Sequence, residues 1–103
     1  MEFNLAIESL KGKLSSDIWH FKVSNKLPGD LSKRARFLME IMNASDHLEN
    51  LKICGSPPDI RLHKLTGNYK GMWSITIHKL SGWRIIFKFK EGNFIDVEII
   101  DYH

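Results

Sequence analysis

Few residues in the chain are able to move protons or hold a metal. Histidine changes charge nearest neutrality, and the five histidines are His20, His47, His63, His78 and His103. No two are spaced i, i+2 or i, i+4, and none stands beside the single cysteine, Cys54, so zinc-ligand spacing is missing. Cys54 has no local nucleophile motif and reads as a small buried hydrophobe. No Gly-x-Ser-x-Gly elbow occurs, and Gly67-Asn68-Tyr69-Lys70-Gly71 reads as a turn between strands, not as a phosphate loop. Two places remain. Asp101-Tyr102-His103 directly follows an apolar strand pattern, Ile95 to Ile100, which predicts a tripeptide fixed by the sheet where a terminus otherwise frays. His63 lies in Ile60-Arg61-Leu62-His63-Lys64-Leu65, on the polar side of a short strand pattern, where a lone histidine is more often structural or merely exposed.

Charge is distributed unevenly around these positions. Residues 1–59 hold eight Lys/Arg and eight Asp/Glu. From Arg61 to Lys90 there are seven basic residues (Arg61, Lys64, Lys70, Lys79, Arg84, Lys88, Lys90) and no acid. Acids return at Glu91, Asp96, Glu98 and Asp101. A basic block among strands suits a polyanion such as RNA, and suits a solvated lysine-rich face equally well.

The elements that must position these residues are read from periodicity. Phe3, Leu5 and Ile7 alternate with polar residues and suggest a strand. Leu14, Ile18 and Phe21 fit one face of a helix from Leu14 to about Val23, with Ser15 or Ser16 as its cap. Leu31, Ala35, Leu38 and Met42 predict an amphipathic helix over about 31–43, capped by Asp30. Ser45 is placed to cap a further short turn through Leu51. Three period-2 runs follow: Trp73/Ile75/Ile77, then Trp83/Ile85/Phe87/Phe89, then Ile95/Val97/Ile99. Leu80-Ser81-Gly82 and Glu91-Gly92-Asn93 separate them, which predicts an antiparallel meander. Helices first and strands afterwards indicate an α+β fold, the helices on one face of the sheet.

With 103 residues, 43% hydrophobic and 26% charged, the chain reads as one globular domain, 1–103, that buries roughly 65% of its unfolded surface. Pro28-Gly29 and Ser56-Pro57-Pro58 are loops within it, not linkers. No run is long and apolar enough for a membrane span, and the acidic start, Met1 to Glu8, is unlike a secretory signal. One cysteine favours a reducing interior, so a cytoplasmic protein is expected.

In order along the chain stand Pro57-Pro58, Arg61-Leu62-His63-Lys64-Leu65, Gly71-Met72-Trp73-Ser74-Ile75, Trp83-Arg84-Ile85-Ile86-Phe87 and Asp96-Val97-Glu98-Ile99-Ile100-Asp101-Tyr102-His103. This ordered set resembles the HigB/GraT-like toxins of bacterial type II toxin–antitoxin systems, within the RelE/ParE superfamily. The likeness is strongest from about Leu51 onward. Leu14–Trp19 and Pro28–Met42 suit that family's two N-terminal helices.

The resemblance implies two N-terminal helices packed on a small antiparallel sheet, and an endoribonuclease that cuts mRNA within the translating ribosome. Such enzymes need no metal or cofactor, because the RNA's own 2′-hydroxyl attacks the neighbouring phosphate. That chemistry needs a base, an acid for the leaving oxygen and positive charge at the phosphorus. Carried over by position, the catalytic residues fall on His63, Asp101, Tyr102 and His103. His63 and His103 share the base and acid roles in either order, Asp101 orients a histidine, and Tyr102 stacks on a base or holds the phosphate. Arg84, Lys64, Lys70 and Lys88 fall to RNA and phosphate binding. Thr66 stands where some relatives carry lysine, and the turn from His78 to Gly82 is about two residues longer, with Gly82 where asparagine is frequent. The implied partners are a helix-turn-helix antitoxin of HigA type, the ribosome with its mRNA, and operator DNA only through the antitoxin complex. The alternative on the same scaffold is a ParE-like toxin that poisons DNA gyrase without cutting RNA. A binding toxin has no use for the pair His63 and His103.

Overall fold

The computed structural model describes residues 6–22, 24–45, 48, 61–78 and 81–101. Two helices, α1 (Lys13–Trp19) and α2 (Gly29–Asn43), precede four strands, β1 (His63–Lys64), β2 (Trp73–Thr76), β3 (Trp83–Lys90) and β4 (Asn93–Asp101). The strands form one antiparallel sheet in the order β1-β2-β3-β4, of which β2-β3-β4 is the meander the sequence predicts. Both helices are N-terminal to the sheet, and the fold is α+β.

The inner face of the sheet is built from rows of apolar side chains. Ile75 lies opposite Ile85, and Ile85 opposite Ile99. These pack with Ala35, Leu38, Met39 and Met42 of α2 and Ile18 of α1 in a single core. The i, i+3, i+4, i+7 spacing on α2 turns those four side chains to one side of the helix. Phe94 sits at the centre, edge-on to Phe87 at 5.1 Å and to Phe89 at 4.9 Å between centroids.

Strand β4 departs from strict alternation. Ile95, Val97 and Ile99 were expected to share the inner face, yet Phe94, Val97 and Ile99 are the buried residues there. The register slips between Ile86 and Lys88, so that Asp96 and Val97 together oppose Phe87. Asp96 takes φ 53°, and this extra residue reverses the phase of everything before it. Ser9 holds the bulge, its Oγ accepting from the Asp96 N–H at 2.8 Å and donating to Asp96 Oδ1 at 3.3 Å.

The outer edge of β4 is covered by the N-terminal segment. Ile7 and Leu10 make parallel bridges to Phe94 and Val97, so Ile7 does join the sheet, while Phe3 and Leu5 lie outside the described residues. Farther along the edge, Ser15 Oγ accepts the Ile99 N–H at 2.7 Å. Ser15 is therefore a tie between α1 and β4 and not a helix cap. Donors at an exposed strand edge invite other chains to pair, and these bonds remove them.

Both helix boundaries differ from expectation. α1 stops at Trp19, not near Val23, because Phe21 takes φ 61°. The Lys22 N–H then reaches the Asp17 carbonyl and the Phe21 N–H the Ile18 carbonyl, at 2.8 and 3.2 Å. This is the closing pattern usually supplied by glycine. Phe21 consequently lies exposed, stacked on the Arg36 guanidinium at 4.0 Å. At α2 the N-cap is Pro28, and Asp30 lies inside the first turn with no side-chain cap bond. Its carboxylate there still meets the positive end of the helix dipole. Ser45 Oγ donates back to the Ile41 carbonyl at the end of α2; the turn expected through Leu51 lies mostly outside the described residues.

The connections follow local chemistry. Gly67–Tyr69 form one 3₁₀ turn between β1 and β2, where the sequence predicts a turn. Glu91 and Gly92 take φ 52° and 82° between paired Lys90 and Asn93, a two-residue hairpin whose twist matches its strands.

Candidate functional site

The other face of the sheet carries the polar residues of the same strands. His63 lies opposite Ser74, Ser74 opposite Ile86, and Ile86 opposite Glu98. The neighbouring row runs Thr76, Arg84 and Ile100. Side chains in these rows point away from α1 and α2. Arg61, Leu62, His63, Thr76 and Arg84 line a cleft of about 620 Å³. A histidine and two guanidiniums thus share one depression, separated by 23 positions in the chain and brought together by β2 running between β1 and β3.

Each side chain has a definite setting. His63 is exposed, with Nδ1 2.7 Å from the Arg61 carbonyl. Arg84 is half-buried, and one of its terminal nitrogens donates to the carbonyls of Ser81 (2.9 Å) and Trp83 (3.1 Å). Those bonds hold the guanidinium at the start of β3 and leave Nε and the second terminal nitrogen outside them. Fixed donors of this planar kind suit a phosphate, whose charge they meet without reorganising. The floor is closed: Thr76, Ile86 and Ser74 are buried, and among the described residues Ser74 Oγ has no hydrogen-bond partner.

The remaining predicted site residues lie outside the lining of this cleft or outside the described residues. Lys88 and Lys90 alternate with Phe87 and Phe89 and so share the face of Arg84, as the sequence predicts. Lys88 lies 3.8 Å from Asp96, in an exposed pair of small energetic worth. Lys64 pairs with Trp73 and extends over its ring at 5.5 Å, on the inner side of β1 and away from His63. Lys70 is exposed beyond the 3₁₀ turn, outside the cleft lining. Asp101 ends β4 opposite Trp83, one position from the Ile100–Arg84 pair. Tyr102 and His103 lie outside the described residues, as does Cys54. Among the described residues no three His, Cys, Asp or Glu side chains group together as metal ligands, and no helix is long and apolar enough to cross a membrane.

Three cleft residues, Arg61, Leu62 and Thr76, have no role assigned from sequence. Arg61 and Leu62 stand in the sequence only as members of the motif around His63, Arg61 also within the basic window, and Thr76 only as a polar position of a strand. Alternation on β2 was the available signal for Thr76; for Arg61 there was none beyond charge.

Comparison with known proteins agrees with the ordered motifs. Residues 8–103 match the model of the HigB-like toxins, described as RelE-like toxins of the type II toxin–antitoxin system HigB. Endoribonuclease HigB of Proteus vulgaris is 42% identical over 43 residues, a stretch covering 42% of this chain and 45% of that relative. The match therefore spans less than half the length of the relative. With the family model extending over nearly the whole chain, from before α1 to beyond β4, the chain belongs to the HigB-like toxin family.

Proposed function

We propose that the protein is the toxin of a type II toxin–antitoxin pair and an endoribonuclease that cuts mRNA in the translating ribosome. The observation that carries this reading is the cleft that joins His63 to Arg84 on the sheet face opposite the helices. Family membership and the relative named as an endoribonuclease support it.

In this reading the cleft receives one phosphodiester of the message. A base removes the proton of the adjacent 2′-hydroxyl, whose oxygen bonds to phosphorus as the bond to the 5′-oxygen breaks. The departing oxygen takes a proton from the acid. The products are a 2′,3′-cyclic phosphate and a 5′-hydroxyl end. Arg84 stabilises the extra charge on the phosphoryl oxygens at the transition state. His63 and His103 are the proton carriers, Asp101 orients a histidine, and Tyr102 holds or stacks on the nucleotide. No step requires a metal or cofactor. Lys64, Lys70 and Lys88, with Lys90, extend positive charge toward the RNA and ribosome. The protein acts in the cytoplasm, where its cognate helix-turn-helix antitoxin restrains it; operator DNA is reached through that complex.

Incubation with ribosomes programmed with a defined mRNA tests the reading. Wild type gives a discrete cut in the decoding site, and His63→Ala gives none above background. An intact message with wild type, combined with full toxicity of His63→Ala in growing cells, overturns it in favour of a toxin that binds gyrase.

A further inference from the structure

Four non-glycine residues among those described have a positive φ: Phe21, Arg61, Glu91 and Asp96. A side chain with a Cβ adopts this region at a cost, so each needs a reason. Phe21 closes α1, Glu91 forms the hairpin turn, and Asp96 is the bulge of β4. Arg61, at φ 51°, ends no described helix and joins no described pair of strands. What its conformation does place is its carbonyl, 2.7 Å from Nδ1 of His63 two residues on, in the wall of the cleft that both residues line.

A carbonyl oxygen only accepts. Nδ1 of His63 therefore carries the hydrogen, and in the neutral ring the lone pair belongs to Nε2. We propose that Arg61 is a positioning residue that holds His63 by its Nδ1–H, which keeps the neutral ring in the Nδ1–H tautomer and makes Nε2 the atom through which His63 exchanges a proton with the RNA. The inference rests on the endoribonuclease reading and deepens it by naming the nitrogen of His63 that faces the substrate. Among the described residues, the polar groups facing His63 in the cleft are the guanidiniums of Arg61 and Arg84 and the hydroxyl of Thr76, with Ser74 across the strand; Lys64, its neighbour on β1, turns to the Trp73 side. None of those side chains carries negative charge, and the Arg61 carbonyl is the acceptor that meets Nδ1.

Two substitutions separate the backbone of Arg61 from its side chain. Arg61→Gly removes the guanidinium and eases the positive φ, keeping the carbonyl in place. Arg61→Pro fixes φ near −65° and swings the carbonyl away. Nitrogen-15 spectra of the histidine ring, recorded on the whole chain at neutral pH without RNA, report the tautomer directly. Wild type and Arg61→Gly are expected to show protonated Nδ1 and bare Nε2 at His63, and Arg61→Pro a mixture of tautomers. On programmed ribosomes, Arg61→Gly is expected to raise KM with kcat largely kept, and Arg61→Pro to lower kcat about 100-fold relative to Arg61→Gly. Should Arg61→Pro fail to fold, Arg61→Val, β-branched and disfavoured at positive φ, is read in the same two ways. A wild-type ring protonated at Nε2 overturns the proposal, as does equal kcat in the glycine and folded proline (or valine) variants. Wild-type protein that shows the expected tautomer and cuts no message overturns the endoribonuclease reading alone.

Discussion

The two faces of the sheet are made from the same strands, one residue out of step, and have opposite characters. Ile75, Ile85 and Ile99 form a closed apolar row against α2, whereas in the next row, Thr76, Arg84 and Ile100, the first two line a cleft with His63. Burial of the first row stabilises the fold, at roughly 1.5–3 kcal/mol for each large side chain. That packing holds the second row in place without using its polar groups. A rigid scaffold and a reactive surface thus come from the period of two, and substitutions on the two faces should separate stability from activity.

The largest expected effect lies on the inner face. Phe94→Ala should cost about 4 kcal/mol of stability in urea unfolding, while Ile95→Ala, next in sequence and half-buried on the opposite face of β4, should cost much less. Equal losses would mean that the bulge at Asp96 does not set the phase of β4. On the outer face, Arg84→Ala should leave the unfolding midpoint nearly unchanged and slow cleavage by about 3 kcal/mol of activation energy, measured as kcat/KM on programmed ribosomes. Loss of stability in place of rate would make Arg84 a part of the scaffold.

A third comparison concerns the edge of β4. Ser15→Ala strands the buried Ile99 N–H, with an expected cost of about 2 kcal/mol, whereas Ser16→Ala, one residue on, loses only an exposed contact with His20. Thermal unfolding of the two variants decides whether Ser15 serves the sheet or caps the helix. The smallest effect is expected at the far end of the outer face. Lys88→Ala with Lys90→Ala should reduce the salt dependence of ribosome binding, by about 0.7 in log–log slope per lysine, with cleavage of the bound message kept. Parallel slopes for variant and wild type would remove these lysines from the RNA-facing surface.

The inner face was the more legible in sequence. Spacing along α2 and alternation along β2 and β3 place Ala35, Leu38, Ile75, Ile85 and Phe87 correctly, because those patterns follow from backbone periods alone. The bulge was not legible, since Asp96 reaches positive φ through a tertiary bond from Ser9, 87 residues earlier. The end of α1 was hidden for a related reason: Phe21 occupies a position where glycine is the usual signal, and it stacks on Arg36 from the other helix. Ser15 looked like a cap because its partner, the edge of β4, comes 84 residues later. On the outer face, alternation predicted the shared side of Arg84, Lys88 and Lys90, and the resemblance drew attention to His63. Sequence offered no means to see that Lys64 turns to Trp73, or that the carbonyl of Arg61 reaches His63. Both depend on register and on one dihedral angle.

The central claim is that the outer face cuts RNA at the phosphate held between His63 and Arg84. End-group analysis of a message cut on programmed ribosomes tests it most directly, with wild type, His63→Ala and Arg84→Ala compared at equal folded concentration. The account predicts a 2′,3′-cyclic phosphate and a 5′-hydroxyl at the wild-type cut, no cut above background with His63→Ala, and the same ends formed about 100-fold more slowly with Arg84→Ala. Wild-type products ending in a 5′-phosphate, or undiminished cleavage by His63→Ala, would contradict it.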